Sequence, residues 1–99
     1  MEAYVKINIK DSVGTIEFFH PQSNSLPGNI LAELANTITK LGIDNNVRVI
    51  VLKSAGERAF CAGASFEELV AIDTPEDGEK FFSGFANVIN SARKCPKFI

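Results

Sequence analysis

The sequence is poor in the residues that carry metal, nucleophilic and nucleic-acid chemistry. It holds two cysteines, Cys61 and Cys95, and one histidine, His20. The cysteines lie far apart with no second pair, which excludes a zinc-finger spacing and reads as two reduced thiols. Basic residues form no block: 10 Lys and Arg stand against 12 Asp and Glu, for a net charge of -2. A nucleic-acid partner is therefore not expected. No apolar run reaches the ~20 residues of a membrane span. The opening MEAYVKINIK has no apolar segment of signal-peptide form, so a cytoplasmic protein with no membrane partner is expected. Repeats, low-complexity segments and linkers are also absent.

What is present is an ordinary globular composition, 45% hydrophobic and 22% charged, in 99 residues. That length suits a single domain with one modest core. YVKINIK alternates, with Val5, Ile7 and Ile9 on one face, and predicts a half-buried strand. DSVG supplies a turn, and VGTIEFF predicts the second strand of a hairpin. HPQSNS breaks the pattern. Ser25 is the expected N-cap of a helix with Pro27 in its first turn, apolar positions Ile30, Leu34, Ile38 and Leu41, and Gly42 at C′. VRVIVL is a continuous β-branched run and predicts a strand buried on both faces. A short helix holding Phe66, Leu69 and Val70 follows. Thr74 and Pro75 open a longer one with the stripe Phe81, Phe82, Phe85, Val88, Ile89 and Ala92, which Pro96 stops. Phe98 and Ile99 look like the first residues of another strand. The order β-β-α-β-α-α is that of an α/β protein. It stops where such a fold would continue, so a fragment is expected.

Between strand and helix lies ERAFCAGASFEEL, Glu57 to Leu69. A glycine there lets the backbone turn tightly and approach a ligand. The first N–H groups of a helix lack internal acceptors and sit at its positive end. Gly63, Ala64 and Ser65 could thus present backbone donors to an oxyanion or a carbonyl oxygen. The alternative is a tight turn that merely packs a helix on a sheet, since a single-glycine turn is a weak motif. A Cys61–His20 nucleophilic pair lacks any third group to orient it; a buried small thiol and a loop histidine are the commoner case. Arg58 and Lys53 could meet phosphates, but single surface cations are ordinary.

ERAFCAGASFEEL resembles the first active-site segment of the crotonase superfamily, the enoyl-CoA hydratase/isomerase family. HPQSNSLPGNILAEL resembles that family's earlier loop and first helix, and NNVRVIVLKSAG the strand between them. The likeness covers nearly the whole chain in the right order. It implies a crotonase-like ββα spiral of which residues 1–99 are the N-terminal layers only, truncated before the second oxyanion-hole segment. It implies an acyl-CoA thioester as substrate, coenzyme A being part of that substrate and no separate cofactor or metal being needed. It implies a hydratase (a lyase) or an isomerase of fatty acid metabolism, working through an enolate, and a homo-oligomer.

Residue by residue, the resemblance makes the N–H of Ala64 the first oxyanion donor. The carbonyls of Ala62 and Ala64 would face the adenine amino group. Ser23, Asn24 and Ser25 would line the CoA entry, and Gly63 and Ser65 would also be among the substrate- and CoA-binding residues. Ser65 stands where many members carry Asp, which blurs the subfamily and leaves the class intact. The second donor and the catalytic carboxylates of the family lie beyond this segment, so residues 1–99 alone are expected to be inactive. Glu67 and Glu68 read as a solvated helix face. The competing description is a non-catalytic CoA-binding or assembly module.

Overall fold

The computed structural model describes residues 2–99. In chain order the elements are β1 (Tyr4–Lys10), β2 (Val13–Phe19), β3 (Ser25–Leu26), α1 (Gly28–Gly42), β4 (Val49–Ser54), β5 (Gly63–Ala64), α2 (Phe66–Val70) and α3 (Pro75–Lys94). Asp11 and Ser12 join β1 to β2 with φ of 54° and 66°. Two consecutive left-handed residues make the turn whose twist suits a two-residue hairpin.

β2 is the centre of a three-stranded sheet, antiparallel to β1 and parallel to β4. Its inward residues Gly14, Ile16 and Phe18 are accordingly buried. The return from β2 to a parallel β4 carries α1 across one face of the sheet. Leu31, Leu34, Ile38 and Leu41 of α1 meet Ile16, Phe18, Val47 and Ile50 in a single core. α3 packs on α1. The approach is close at Gly84, where a Cβ would lie 2.8 Å from Leu31 Cδ1. Thr74 caps α3 as expected, accepting the Asp77 N–H on Oγ1 at 3.1 Å, with Pro75 in the first turn. Lys97 Nζ donates to the carbonyls of Leu41 and Asp44 and so closes the C-terminal end of α1.

Several local expectations fail for reasons of packing. Ser25 is not the N-cap of α1. Its backbone pairs with Gly63 in a small parallel sheet of β3 and β5, and Pro27 takes the cap position. Gly42 is the last helical residue and not a left-handed C′. Its missing Cβ admits Cys95 Sγ and Pro96 Cδ, each 3.3 Å from where that atom would stand. The strand expected over VRVIVL begins at Val49, and only its inward face is covered. Ile50 is buried while Val51 is exposed, because among the described residues helices pack on one side of the sheet only. β1 is an edge strand, and Ile7 and Ile9 on its apolar face are 40% and 42% exposed. The α3 stripe is only half covered: Phe81, Phe85, Val88 and Ala92 are partly buried, and Phe82 and Ile89 are exposed. Phe98 forms an isolated parallel bridge with Val49, and its carbonyl accepts the Ile50 N–H at 2.9 Å, as the strand expected there requires.

Candidate functional site

The candidate residues fall on two adjoining segments. Ser23, Asn24 and Ser25 follow β2; Ala62, Gly63, Ala64 and Ser65 follow β4. The two segments meet in the β3–β5 pair, where Ser25 lies opposite Gly63 and Leu26 opposite Ala64. All seven are therefore brought together.

The first segment is conformationally unusual. Ser23 and Asn24 have φ of 58° and 61°, consecutive left-handed residues with neither a glycine. Such a backbone persists only where its surroundings over-determine it. Here the Asn24 side chain does so. It is buried, its Oδ1 accepts the His20 N–H at 2.7 Å, and its Nδ2 donates to the carbonyls of Ala55 and Ala59, both at 2.8 Å. The Asn24 carbonyl accepts the Ala62 N–H at 3.0 Å. One residue thus binds the loop after β2 to the loop after β4, and its polar side chain faces inward.

The second segment turns at Gly63, with φ of 98°. A Cβ at Gly63 would meet nothing within 4 Å, so the space beside it is open. The Ser65 N–H donates to the Leu26 carbonyl at 3.2 Å. Consecutive N–H groups of an extended strand point to opposite sides. The N–H of Ala64 is therefore directed away from β3, toward the edge of β5 that pairs with no strand among the described residues. Ser65 Oγ accepts the Glu68 N–H at 3.3 Å and starts α2. The arrangement is a tight, small-residue turn with one backbone donor facing outward.

Cys61 and His20 are engaged separately. Cys61 Sγ accepts the Gly63 N–H at 3.4 Å, and His20 Nδ1 accepts the Gln22 N–H at 3.0 Å. Glu67 is exposed. Glu68 is exposed too, but it is not simply solvated: its Oε1 accepts the Gly28 N–H at 2.8 Å. The sequence carried no sign of that contact, because its cap-like residues pointed to Ser25 as the helix cap. A groove of 970 Å³ runs beside this contact, between α1, α2 and α3, with Asn29, Glu68, Ile72, Glu76 and Phe81 among its walls. None of the seven candidate residues lines it. No group of three or more His, Cys, Asp or Glu among the described residues could hold a metal ion. Among them, no helix is long and apolar enough to cross a membrane.

A family model described as enoyl-CoA hydratase/isomerase matches residues 8–99. The mitochondrial methylglutaconyl-CoA hydratase of Rattus norvegicus is 36% identical over 73 residues, 74% of this chain and 23% of that protein. The human protein of the same name is 34% identical over 73 residues, 74% of this chain and 21% of that protein. The enoyl-CoA hydratase structure from Mycobacterium smegmatis superposes with a TM-score of 0.83 at 30% identity, covering 94% of this chain and 37% of the other. That of Bacillus anthracis gives 0.82 at 28% identity, with 98% and 37% covered.

Proposed function

The chain belongs to the enoyl-CoA hydratase/isomerase family, and we propose that it supplies the first part of an acyl-CoA site in which the Ala64 N–H stabilises a thioester enolate. Its elements are the N-terminal layers of the crotonase-like α/β fold. The observation that supports the reading is the donor turn. The Ser65 N–H is held by Leu26, and the Ala64 N–H is left directed to the open edge of β5. A thioester carbonyl against that edge would accept this N–H. Addition at the β-carbon, or loss of a proton from the α-carbon, gathers negative charge on that oxygen. A donor already fixed at that place needs no reorganisation as the charge develops, and one such donor is typically worth ~3–4 kcal/mol.

The other candidates take supporting parts in this reading. Ser23 and Ser25 would border the CoA entry, with Asn24 shaping the loop from within. The carbonyls of Ala62 and Ala64 would meet the adenine amino group, and Gly63 and Ser65 would leave room for the thioester. Coenzyme A enters as part of the substrate. We assign no described carboxylate to acid–base chemistry, so the acid, the base and a second donor would come from elsewhere in a whole enzyme. That enzyme would be a cytoplasmic homo-oligomer of fatty acid metabolism.

The test is a titration of the isotopically labelled chain with butyryl-CoA, followed by amide NMR. Gly63 and Ala64 should shift more than residues of the β1–β2 hairpin. An Ala64 amide unmoved at saturating butyryl-CoA would sink the proposal.

A further inference from the structure

α1 begins without a cap of its own. Pro27 at the cap position makes no side-chain hydrogen bond, and the first turn holds no acidic residue. A helix start leaves several N–H groups without intrahelical acceptors, and the aligned peptide dipoles make that end positive. Here an acceptor arrives from another helix. Glu68 of α2 accepts the Gly28 N–H through Oε1 at 2.8 Å. Both carboxylate oxygens lie close over Gly28: a Cβ there would stand in ordinary contact with them, 3.6 Å from Oε1 and 3.9 Å from Oε2.

Glu68 is itself anchored. Its N–H donates to Ser65 Oγ at 3.3 Å, and the Ser65 N–H donates to the Leu26 carbonyl at 3.2 Å. Leu26, Pro27 and Gly28 thus face one turn of α2, with a hydrogen bond at each end of the match. Ala64 immediately precedes this closed ring. α2 has little else to hold it, being five residues long with no buried side chain. α1, by contrast, buries Ile30, Leu31, Leu34, Ile38 and Leu41.

From this geometry we infer that Glu68 is a positioning residue whose carboxylate clips α2 to the start of α1 and so fixes the turn that aims the Ala64 N–H. Its importance for catalysis rests on the Ala64 reading above; the clip itself does not. Glu68 acts through the turn and not on substrate.

Amide hydrogen exchange on the full chain tests it. Glu68→Ala should speed exchange at Ser65 by about fivefold to tenfold, the loss of one exposed charge-assisted bond, while Ile16 and Ile38 are unchanged. Glu68→Gln, whose amide oxygen still accepts, should restore most of the protection. Gly28→Pro removes the donor from the other side at a position that tolerates proline, and should reproduce Glu68→Ala without adding to it. Unchanged exchange at Ser65 in Glu68→Ala, or equal acceleration at Ile16 and Ile38, overturns the inference. Butyryl-CoA added to the same samples separates the two readings. If Ser65 responds as expected and Ala64 ignores the thioester, the clip stands and the oxyanion assignment falls.

Discussion

Asn24 donates one Nδ2 hydrogen to the Ala59 carbonyl at 2.8 Å, across 35 residues of sequence. The second Nδ2 hydrogen reaches Ala55, and Oδ1 takes the His20 N–H. Every polar atom of this buried side chain is satisfied by backbone. Removing it would strand two carbonyls and an N–H in a partly buried region. Asn24→Ala should therefore lower stability by ~2–4 kcal/mol in urea unfolding, since each stranded group costs ~1–3 kcal/mol less whatever relaxation recovers. Asn24→Asp keeps the acceptor and loses both donors, so it should be comparably harmful. A loss below about 1 kcal/mol would mean that water replaces the clamp.

Gly63→Ala and Gly14→Ala make the same chemical change and should fail by different routes. At Gly63 the space is empty and the φ of 98° is the whole problem. Its cost should be ~1–2 kcal/mol of backbone strain, with the turn relaxing toward negative φ and the Ala64 N–H losing its aim. At Gly14 the backbone is ordinary, but a Cβ would lie 3.0 Å from Leu41 Cδ1 and 3.1 Å from Val47 Cγ1. Overpacking of this kind typically costs ~1–3 kcal/mol. Amide shifts separate the two. Gly63→Ala should disturb Ala62–Ser65, and Gly14→Ala should disturb the core under α1.

The parts of the fold legible in sequence are those decided within a few residues. The β1–β2 alternation and the Thr74–Pro75 start of α3 need no distant partner, and both stand where the pattern puts them. Ser25 looked like a helix cap because its neighbours are cap-like. Whether it caps or pairs is decided by Gly63, far along the chain, and pairing wins. The continuous apolar run at β4 cannot say which faces are covered. Val51 is exposed because nothing described packs on the outer side. At the site, the turn around Gly63 was legible from strand, glycine and helix in succession. The inward clamp of Asn24 and the Glu68–Gly28 contact were not, because each is a long-range hydrogen bond with no periodic signature.

Acid should weaken the outer face of the sheet through Glu17. Tyr4 Oη donates to Glu17 Oε2 at 2.6 Å, and Lys6 and Lys53 stand 3.5 Å and 3.6 Å from its two oxygens. The Tyr4 hydrogen bond, and then the two ammonium groups, hold the Glu17 carboxyl below its ordinary value. The contribution is therefore complete above the unfolded-state pKa of a glutamate and is lost as pH falls through the lower folded value. Tyr4 is pushed the other way, chiefly by that same hydrogen bond, so its share is complete below the unfolded tyrosine value and is lost as pH rises through the folded one. Glu17→Gln should flatten the acid limb of stability against pH, and Tyr4→Phe the alkaline limb. An acid limb unchanged in Glu17→Gln would rule the cluster out as its source.

The 99-residue chain by itself should not hydrate a short enoyl-CoA above the uncatalysed rate. General acid and base groups each contribute about 10²–10⁴-fold, and none is assigned here. Glu68 is held by Gly28 and Glu67 is exposed. A continuous assay of crotonyl-CoA absorbance on repurified material would decide the matter. Turnover that vanished in Glu67→Gln would give that carboxylate the catalytic part it is denied here.

Self-association is the last expected property, and it follows from what the layers leave uncovered. Phe82 and Ile89 on α3 are 67% and 56% exposed, and Phe66 and Val70 on α2 are 71% and 66% exposed. Large apolar patches are rare on free monomers and mark contacts. The sheet also presents the outer edge of β1, a strand of seven residues with free backbone groups. Lys6 and Lys10 discourage pairing along that edge, so the helix faces should dominate association. Light scattering over a dilution series should give an average mass that rises with concentration. Phe82→Lys with Ile89→Glu should return the chain to a monomer without lowering its unfolding midpoint, because neither side chain belongs to the core. A native chain that stays monomeric at high micromolar concentration would show that α3 and α1 close the core unaided. Association that survives the double substitution would move the contact to Phe66 and Val70 of α2 or to the β1 edge, where Phe66→Lys and Ile7→Lys would be the next tests.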